Sequence, residues 1–246
     1  MRSQAGRDTL VLIPAYNEEA SIRRVIEEVN AVRPGASILV VNDCSADATV
    51  SEAASAGAMV LSLPCHLGLG GCVQAGYKFA FADGYQSVVR IDGDGQHDPR
   101  DIGRLLECLA SSGVEMVIGV RAPGSGDGFR TSLIRRIGIG FFRLLLRPIL
   151  GRRVSDPTSG FVAVNRRALE LFSRTFPLEY PEIEALVVLQ RKAFRFDEVQ
   201  SVMRPRMAGR SSITPAKSIF FVLHVLLGVF VNILRYDGPS PRAQKR

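Results

Sequence analysis

The sequence predicts an α/β fold, a mostly parallel β-sheet with helices on both faces. Three observations predict it. Short apolar runs recur along the first 120 or so residues, each ended by proline, glycine or a polar cluster. Between them lie segments whose apolar residues fall at helical spacing. The chain has 246 residues, 46% hydrophobic and 22% charged. That is a globular composition, long enough for one sizeable domain or a domain with an appendage. Strands that alternate with helices become parallel neighbours, because each crossover returns the chain to the same edge.

Each element follows in order. Residues 9–14 (TLVLIP) read as a buried strand ended by proline. Residues 17–32 read as a helix, with Ile22, Val25, Ile26 and Val29 on one face and Pro34-Gly35 as its stop. A second strand, 37–41, runs into Asn42-Asp43-Cys44-Ser45. A helix over 48–56 ends at Gly57, and a third strand spans 58–63. Residues 66–71 form a glycine-rich loop and 72–82 a helix. The fourth strand, 87–91 (SVVRI), delivers its C-terminal end to Asp92. A helix over 99–111 and a fifth strand over 115–120 follow.

The second half has a different texture. Residues 121–130 are glycine-rich, and 134–149 are amphipathic. Ile134, Ile137, Phe141, Leu145 and Ile149 share one face at helical spacing, opposite Arg136, Arg143 and Arg147. Residues 156–165 carry Pro-Thr-Ser-Gly, 182–190 read as a helix and 195–203 as a strand. Residues 218–234 (SIFFVLHVLLGVFVNIL) are almost entirely apolar, and the tail from Asp237 is polar and basic. These predict one domain over 1–215, which includes an amphipathic helix at about 134–150 that faces a membrane or, alternatively, packs on the domain with a solvated basic face. A hydrophobic membrane-associating helix and polar tail follow over 216–246, the helix spanning the membrane, lying on it or packing in an oligomer.

The net charge is +7, carried mostly by arginine. This favours polyanionic partners, namely phosphates, an anionic membrane surface or nucleic acid. The aromatic residues form no stacking platform, so nucleic acid is not expected. Cys44, Cys65, Cys72 and Cys108 show no zinc-site spacing, and histidines are few. They are expected as buried or half-buried thiols in a reducing compartment. The first apolar run is too short for a secretory signal, so the catalytic part is expected to face the cytosol.

Parallel sheets bind ligands at the C-terminal ends of their strands. Tyr16, Asp43, Asp92 and Arg121 all fall just past such ends. Asp92-Gly93-Asp94 places two carboxylates one residue apart, suited to a hard cation such as Mg²⁺ or Mn²⁺. Such an ion can neutralise a diphosphate leaving group. Gly93 allows the ligand close to the backbone. Tyr16 can pack on a nucleobase or sugar. Glu18 and Asp43 can accept hydrogen bonds from ribose or base. Alternatively, Asn17-Glu18-Glu19 is an acidic first turn that complements a helix dipole.

Pro14-Ala15-Tyr16-Asn17-Glu18, Asn42-Asp43-Cys44-Ser45 and Asp92-Gly93-Asp94-Gly95-Gln96-His97, in this order, resemble the inverting GT-A glycosyltransferases of family 2. Asp156-Pro157-Thr158-Ser159-Gly160-Phe161, Asn165-Arg166-Arg167-Ala168-Leu169, Glu182-Ile183-Glu184 and Arg206-Met207-Ala208-Gly209-Arg210-Ser211 are similar to the dolichyl-phosphate mannosyltransferase branch and its bacterial polyprenyl-phosphate relatives. The resemblance runs from about residue 10 to 213. It implies a GT-A, Rossmann-like catalytic domain, here followed by a C-terminal hydrophobic helix.

The same resemblance implies roles. Pro14, Tyr16, Glu18, Val41 and Asp43 would line the nucleoside pocket. Asp92 and Gly93 would meet the ribose and diphosphate, with Asp94 and Gln96 as metal ligands. Arg121 would approach a donor or acceptor phosphate. Asp94, Arg121 and Asp156 are the candidate catalytic residues. Arg210 would join the nucleotide-sugar site, while Ser159 and Arg206 would lie on the acceptor side. The donor would be a GDP- or UDP-linked sugar and the acceptor a polyprenyl phosphate, at the cytoplasmic face of a membrane. A homo-oligomer is compatible with all of this. Two positions depart from the pattern: Asn42 stands where many relatives have Asp, and Ser212 where the mannosyltransferases have Lys. The second loosens the link to GDP-mannose.

A lipid phosphate is already an anionic nucleophile, so no strong general base is required, and His97 is expected to support the metal loop. Other readings stay open. They are a transferase to a saccharide or other hydroxyl acceptor, a nucleotidyltransferase, or a membrane-bound module whose site has decayed. A nucleotidyltransferase would carry a glycine-rich basic segment after the first strand, where this chain has Pro14-Ala15-Tyr16-Asn17-Glu18.

Overall fold

The computed structural model describes residues 8–121, 133–204 and 231. Seven strands form one sheet in the order β3-β2-β1-β4-β6-β5-β7. They are β1 (Thr9–Ala15), β2 (Ser37–Asn42), β3 (Met59–Ser62), β4 (Ser87–Arg90), β5 (Met116–Arg121), β6 (Val162–Asn165) and β7 (Phe196–Ser201). The pairs β1–β2, β2–β3, β1–β4 and β5–β7 are parallel. Only β6 runs antiparallel, hydrogen-bonded to β4 and β5. The helices are α1 (Ile22–Val32), α2 (Thr49–Ser55), α3 (Gly68–Ala82), α4 (Ile102–Ser111), α5 (Leu133–Leu150), α6 (Arg166–Arg174) and α7 (Pro181–Arg191).

Alternation along the strands divides the core in two. Val11 and Ile13 of β1 pack with Val25, Ile26 and Leu105 of α1 and α4 on one face. Leu10 and Leu12 pack with Val73, Leu146, Phe172 and Leu186 of α3, α5, α6 and α7 on the other. The expected doubly covered sheet is therefore present. Strand order reverses between β1, which leads outward to β2 and β3, and β4 on its other side. Sheets of this kind open a ligand crevice at such a reversal.

Several boundaries differ from the sequence reading, each for a local reason. The first helix begins at Ile22, not residue 17, because the loop before it is tied to the loop after β2. Glu18 N–H donates to Thr49 Oγ1 and Glu19 N–H to Asp47 Oδ2, while Asn17 has a left-handed φ of 55°. Glu18 and Glu19 thus precede the helix rather than form an acidic first turn. The third helix begins at Gly68, inside the expected loop. The strand β6 and helix α6 were not anticipated. Asn165 caps α6, its side-chain oxygen accepting from the N–H groups of Arg167 and Ala168. The thiols are free, with Cys72 buried and Cys108 half-buried, but Cys44 and Cys65 are exposed, unlike the expectation.

Helix α5 covers the expected amphipathic segment. Its residues Phe142, Leu146 and Leu150 are buried in the domain core, with Leu145 and Ile149 packed against it. Arg143, Leu144 and Arg147 face outward. The apolar side of this part of the helix is occupied by the protein's own core. Among the described residues no helix is long and apolar enough to cross a membrane. The apolar segment 218–234 lies outside the described residues apart from Val231.

Glycines on α3 set how closely it approaches its neighbours. A Cβ on Gly70 would lie 2.4 Å from backbone atoms of Leu178 and Pro177. Gly103 of α4 has nothing within 4 Å of such an atom. The two sites carry opposite expectations. Gly103→Ala gains helix propensity, about 0.5–1 kcal/mol, and is expected to raise stability. Gly70→Ala gains the same term but must displace backbone, at a cost of about 1–3 kcal/mol or more. A net loss is expected. Urea titration of both variants checks the pair, and a Gly70→Ala protein as stable as the parent would contradict the packing.

Candidate functional site

The C-terminal ends of β1, β2, β4 and β5 meet at one rim. Because β6 runs the other way, the loop that enters it, residues 156–161, reaches the same rim. Three loops converge there. A Cβ on Gly93 would lie 3.4 Å from the Pro14 carbonyl oxygen and 3.6 Å from Glu18 Cγ. A Cβ on Gly160 would lie 2.8 Å from Arg90 Nη2 and 2.9 Å from Asp92 Oδ2. The end of β1 with the loop that follows it, the loop after β4 and the loop before β6 are therefore in contact, and a side chain at Gly160 would require Arg90 or Asp92 to shift.

The loop after β4 is held by a buried network. Arg90 is 3% exposed although it sits in a strand beside Val88 and Val89. Its Nη2 donates to Glu182 Oε1 at 2.6 Å and to Asp92 Oδ1 at 3.4 Å. His97 Nε2 lies 3.1 Å from Asp92 Oδ2, and its ring stacks on Phe161 at 5.1 Å. Burial works to raise the Asp92 pKa. The Arg90 charge and the His97 hydrogen bond outweigh it and hold the carboxyl well below the usual carboxylate range. Burial likewise works to lower the Arg90 pKa, and Glu182 followed by Asp92 raises it above its ordinary value.

Asp94 and Gln96 lie between these anchors. Asp94 is buried, and its Oδ1 accepts from the Gln96 N–H at 3.0 Å. The far side of the loop is fastened to the chain after β7. The Gln96 carbonyl accepts from Arg204 N–H at 2.7 Å, and His97 bridges Met203. Arg204 also pairs with Asp98 at 2.8 Å and Glu28 at 2.5 Å. Among the described residues no three His, Cys, Asp or Glu side chains gather into a metal cluster. Asp94 and Gln96 would supply two oxygen ligands, while Asp92 is engaged by Arg90 and His97. That set fits Mg²⁺ or Mn²⁺ completed by phosphate oxygens and water, the usual arrangement for a cation bound with a diphosphate.

Beside the loop after β4 meet the loops after β1, β2 and β3. Asp43 is buried. Its Oδ1 accepts from the Leu67 N–H at 2.7 Å, and its Oδ2 lies 3.0 Å from His66 Nδ1. The half-exposed Tyr16 ring sits 4.4 Å from the His66 ring. Tyr16 and His66 thus form an aromatic corner beside Asp43. The Glu18 carboxylate accepts from Ser21 Oγ at 2.9 Å, beside Gly93. Val41 is fully buried in the sheet, and its carbonyl accepts from the Cys72 thiol.

The second-half candidates divide. Asp156 is buried at the rim, with Oδ1 accepting from Thr158 N–H and Oγ1. Ser159 donates to the Gly119 carbonyl at 2.5 Å and holds the loop on β5. Arg121 closes β5. Arg206 and Arg210 lie outside the described residues. Arg90, His66, Arg204 and the role of Glu182 had no place in the sequence reading. Arg90 carried a usable signal, since a cation inside the apolar run SVVRI demands a buried partner. The partner itself, Glu182, is 92 residues away.

Comparison with known proteins adds to this geometry. The model of the family described as glycosyl transferase family 2 matches residues 10–172. Polyprenol monophosphomannose synthase of Mycolicibacterium smegmatis is 32% identical over 172 residues, covering 66% of this chain and 63% of that protein. Undecaprenyl-phosphate mannosyltransferase of Micrococcus luteus is 32% identical over 170 residues, covering 66% of this chain and 69% of that one. The chain thus matches about two thirds of each relative's length. The structure of glucosyl-3-phosphoglycerate synthase from Mycobacterium tuberculosis, in complex with Mn²⁺, UDP and phosphoglyceric acid, is 24% identical. It superposes with a TM-score of 0.70 over 97% of this chain and 81% of that one. The likeness is one of fold, the α/β GT-A arrangement.

The Asp92 network makes stability depend on acidity. A carboxyl whose folded pKa is depressed contributes stability above its unfolded pKa, near 4, and loses that contribution as pH falls below it. Asp92→Asn is therefore expected to be less stable than the parent at pH 7, with the gap narrowing between about pH 5 and pH 2. Denaturant unfolding at several pH values measures the gap. A gap that stays constant would contradict the charge role of Asp92.

Proposed function

The chain belongs to glycosyl transferase family 2, and from that premise we propose that it transfers a sugar from a nucleotide sugar to a polyprenyl phosphate, with inversion, at the cytoplasmic face of a membrane. The observation that carries this reading is the convergence of an aromatic corner, a buried acceptor carboxylate and a two-ligand cation loop on one rim. That combination suits a nucleoside diphosphate: base against Tyr16 and His66, hydrogen-bond donors toward Asp43, diphosphate at Asp94 and Gln96. The relatives named for polyprenol and undecaprenyl phosphate support the acceptor class.

In the reaction, a phosphate oxygen of the lipid forms a bond to the anomeric carbon while the bond from that carbon to the diphosphate breaks. Inversion follows from attack opposite the leaving group. A bound Mg²⁺ or Mn²⁺ supplies charge neutralisation for the departing diphosphate. The chain's own residues bind and orient. Asp94 and Gln96 would hold the cation, Gly160 leaves room for Arg90 Nη2 and the Asp92 carboxylate, and Asp92 stays with Arg90 and His97. Because the nucleophile is already anionic, orientation and charge stabilisation carry the rate, and no base has to be placed. His97, with its Nε2 on Asp92 and its ring on Phe161, supports the loop.

The membrane reading rests on the apolar segment 218–234 and on the outward arginines of α5. The lipid acceptor requires the same location, because its phosphate lies at the headgroup level.

The test is incubation with a panel of GDP- and UDP-sugars, Mn²⁺ or Mg²⁺, and either polyprenyl phosphate or a hydroxyl acceptor. A sugar-bearing lipid is expected in the organic phase with one nucleotide class. Asp94→Asn is expected to lower the rate at least about 100-fold, the scale of losing a charge-stabilising metal contact. Full activity in that variant would sink the metal assignment, and product only with the hydroxyl acceptor would sink the lipid assignment.

A further inference from the structure

We propose that Glu182 and Arg90 are positioning residues that set the geometry of the cation loop from inside the domain. The inference rests on the reading of Asp94 and Gln96 as cation ligands and goes beyond it by assigning what holds them.

A guanidinium inside a sheet loses several kcal/mol of hydration, which partners must offset. A leucine at position 90 would meet no such penalty. The strand instead carries Arg90, and the group reaches two carboxylates from distant parts of the chain. Glu182 comes from the first turn of α7, at 2.6 Å, and Asp92 from the loop, at 3.4 Å. The Arg90 Nε is buried with no hydrogen-bond partner, so the guanidinium makes its contacts through the Nη2 end that faces the two acids.

The consequence falls on Asp92. Its Oδ1 faces Arg90 and its Oδ2 faces His97. Both oxygens are engaged, and Gly160 closes over the pair so tightly that a Cβ there would force Arg90 or Asp92 to shift. Residues 92 and 97 are then fixed points on either side of Asp94 and Gln96. The two cation ligands sit in a short span clamped at both ends, so their spacing is set before any ligand arrives. Glu182 is the member of this set that comes from outside the loop and its strand. Removing its charge leaves Arg90 with Asp92 as its one acid, and the guanidinium and the Asp92 carboxylate shift toward each other, disturbing the loop.

The experiment uses Glu182→Gln and the double variant Arg90→Met/Glu182→Met in the full chain. Mn²⁺ binding is read by electron paramagnetic resonance in the presence of UDP or GDP, together with thermal unfolding and the kcat and KM of the transfer. Glu182→Gln is expected to weaken Mn²⁺ binding about tenfold and to lower kcat more than it raises the acceptor KM. Replacing a buried ion pair by apolar side chains commonly restores stability. The double variant, in which Asp92 keeps only His97, is expected to remain folded, somewhat below the parent in stability, and to bind Mn²⁺ weakly. A folded double variant with parental Mn²⁺ affinity overturns the proposal, since the pair would then be structural only. If the double variant is insoluble, parental Mn²⁺ affinity in Glu182→Gln overturns it. A parent protein that binds no Mn²⁺ with either nucleotide overturns the metal reading itself and this inference with it.

Discussion

Arg90 lies in the middle of a seven-stranded sheet, 3% exposed, among side chains that are fully buried. A cation in that place is stable only while Glu182 and Asp92 stay beside it. The first acid belongs to α7, and the second to the loop after β4. One buried charge thus joins the half of the chain that holds the nucleotide motifs to the half that forms the other side of the rim. The strand β6 makes this junction possible. By running antiparallel between β4 and β5, it brings residues 156–161 back over Arg90 and Asp92.

The rim depends on this junction. Asp92 is the group that a sequence reading gives to the nucleotide, and in the folded protein it is the keystone of the loop. Asp94 and Gln96 lie in the span between Asp92 and His97, and the loop's outer edge is tied by Arg204 to the chain leaving β7. The nucleoside side is built by a separate device, the hydrogen bonds that knit the loop after β1 to the loop after β2. His66, from the loop after β3, reaches both Asp43 after β2 and the Tyr16 ring after β1. In the proposed reading, base and diphosphate would fall to two structures that touch at Gly93.

Much of this was legible in the sequence, where the physics is local. The runs TLVLIP, SILVV and SVVRI are short, apolar and bounded by turn formers, and each became a buried parallel strand. The rim position of Asp43 and Asp92 followed from the strand ends alone. The strand β6 was not legible. Its four residues VAVN follow a loop and pair antiparallel with strands more than 40 residues earlier. The glycine-rich stretch at 66–71 reads as a loop, because tight helix packing at Gly70 depends on Pro177 and Leu178, which no local pattern announces. The partners of Arg90 and the place of His66 beside Asp43 are likewise tertiary facts. The apolar face of α5 was read for lipid. In its described part the domain core takes that face through Phe142, Leu146 and Leu150.

The central claim is that the cation belongs to Asp94 and Gln96 while Asp92 remains with Arg90 and His97. A crystal structure of the protein with Mn²⁺ and a nucleoside diphosphate, with the metal located by its anomalous scattering, tests it directly. The account expects a single manganese peak within coordination distance of Asp94 and Gln96 and the diphosphate oxygens. It also expects the Asp92 carboxylate to stay between Arg90 and His97. Manganese bound to Asp92, with the Arg90 contact broken, would contradict it.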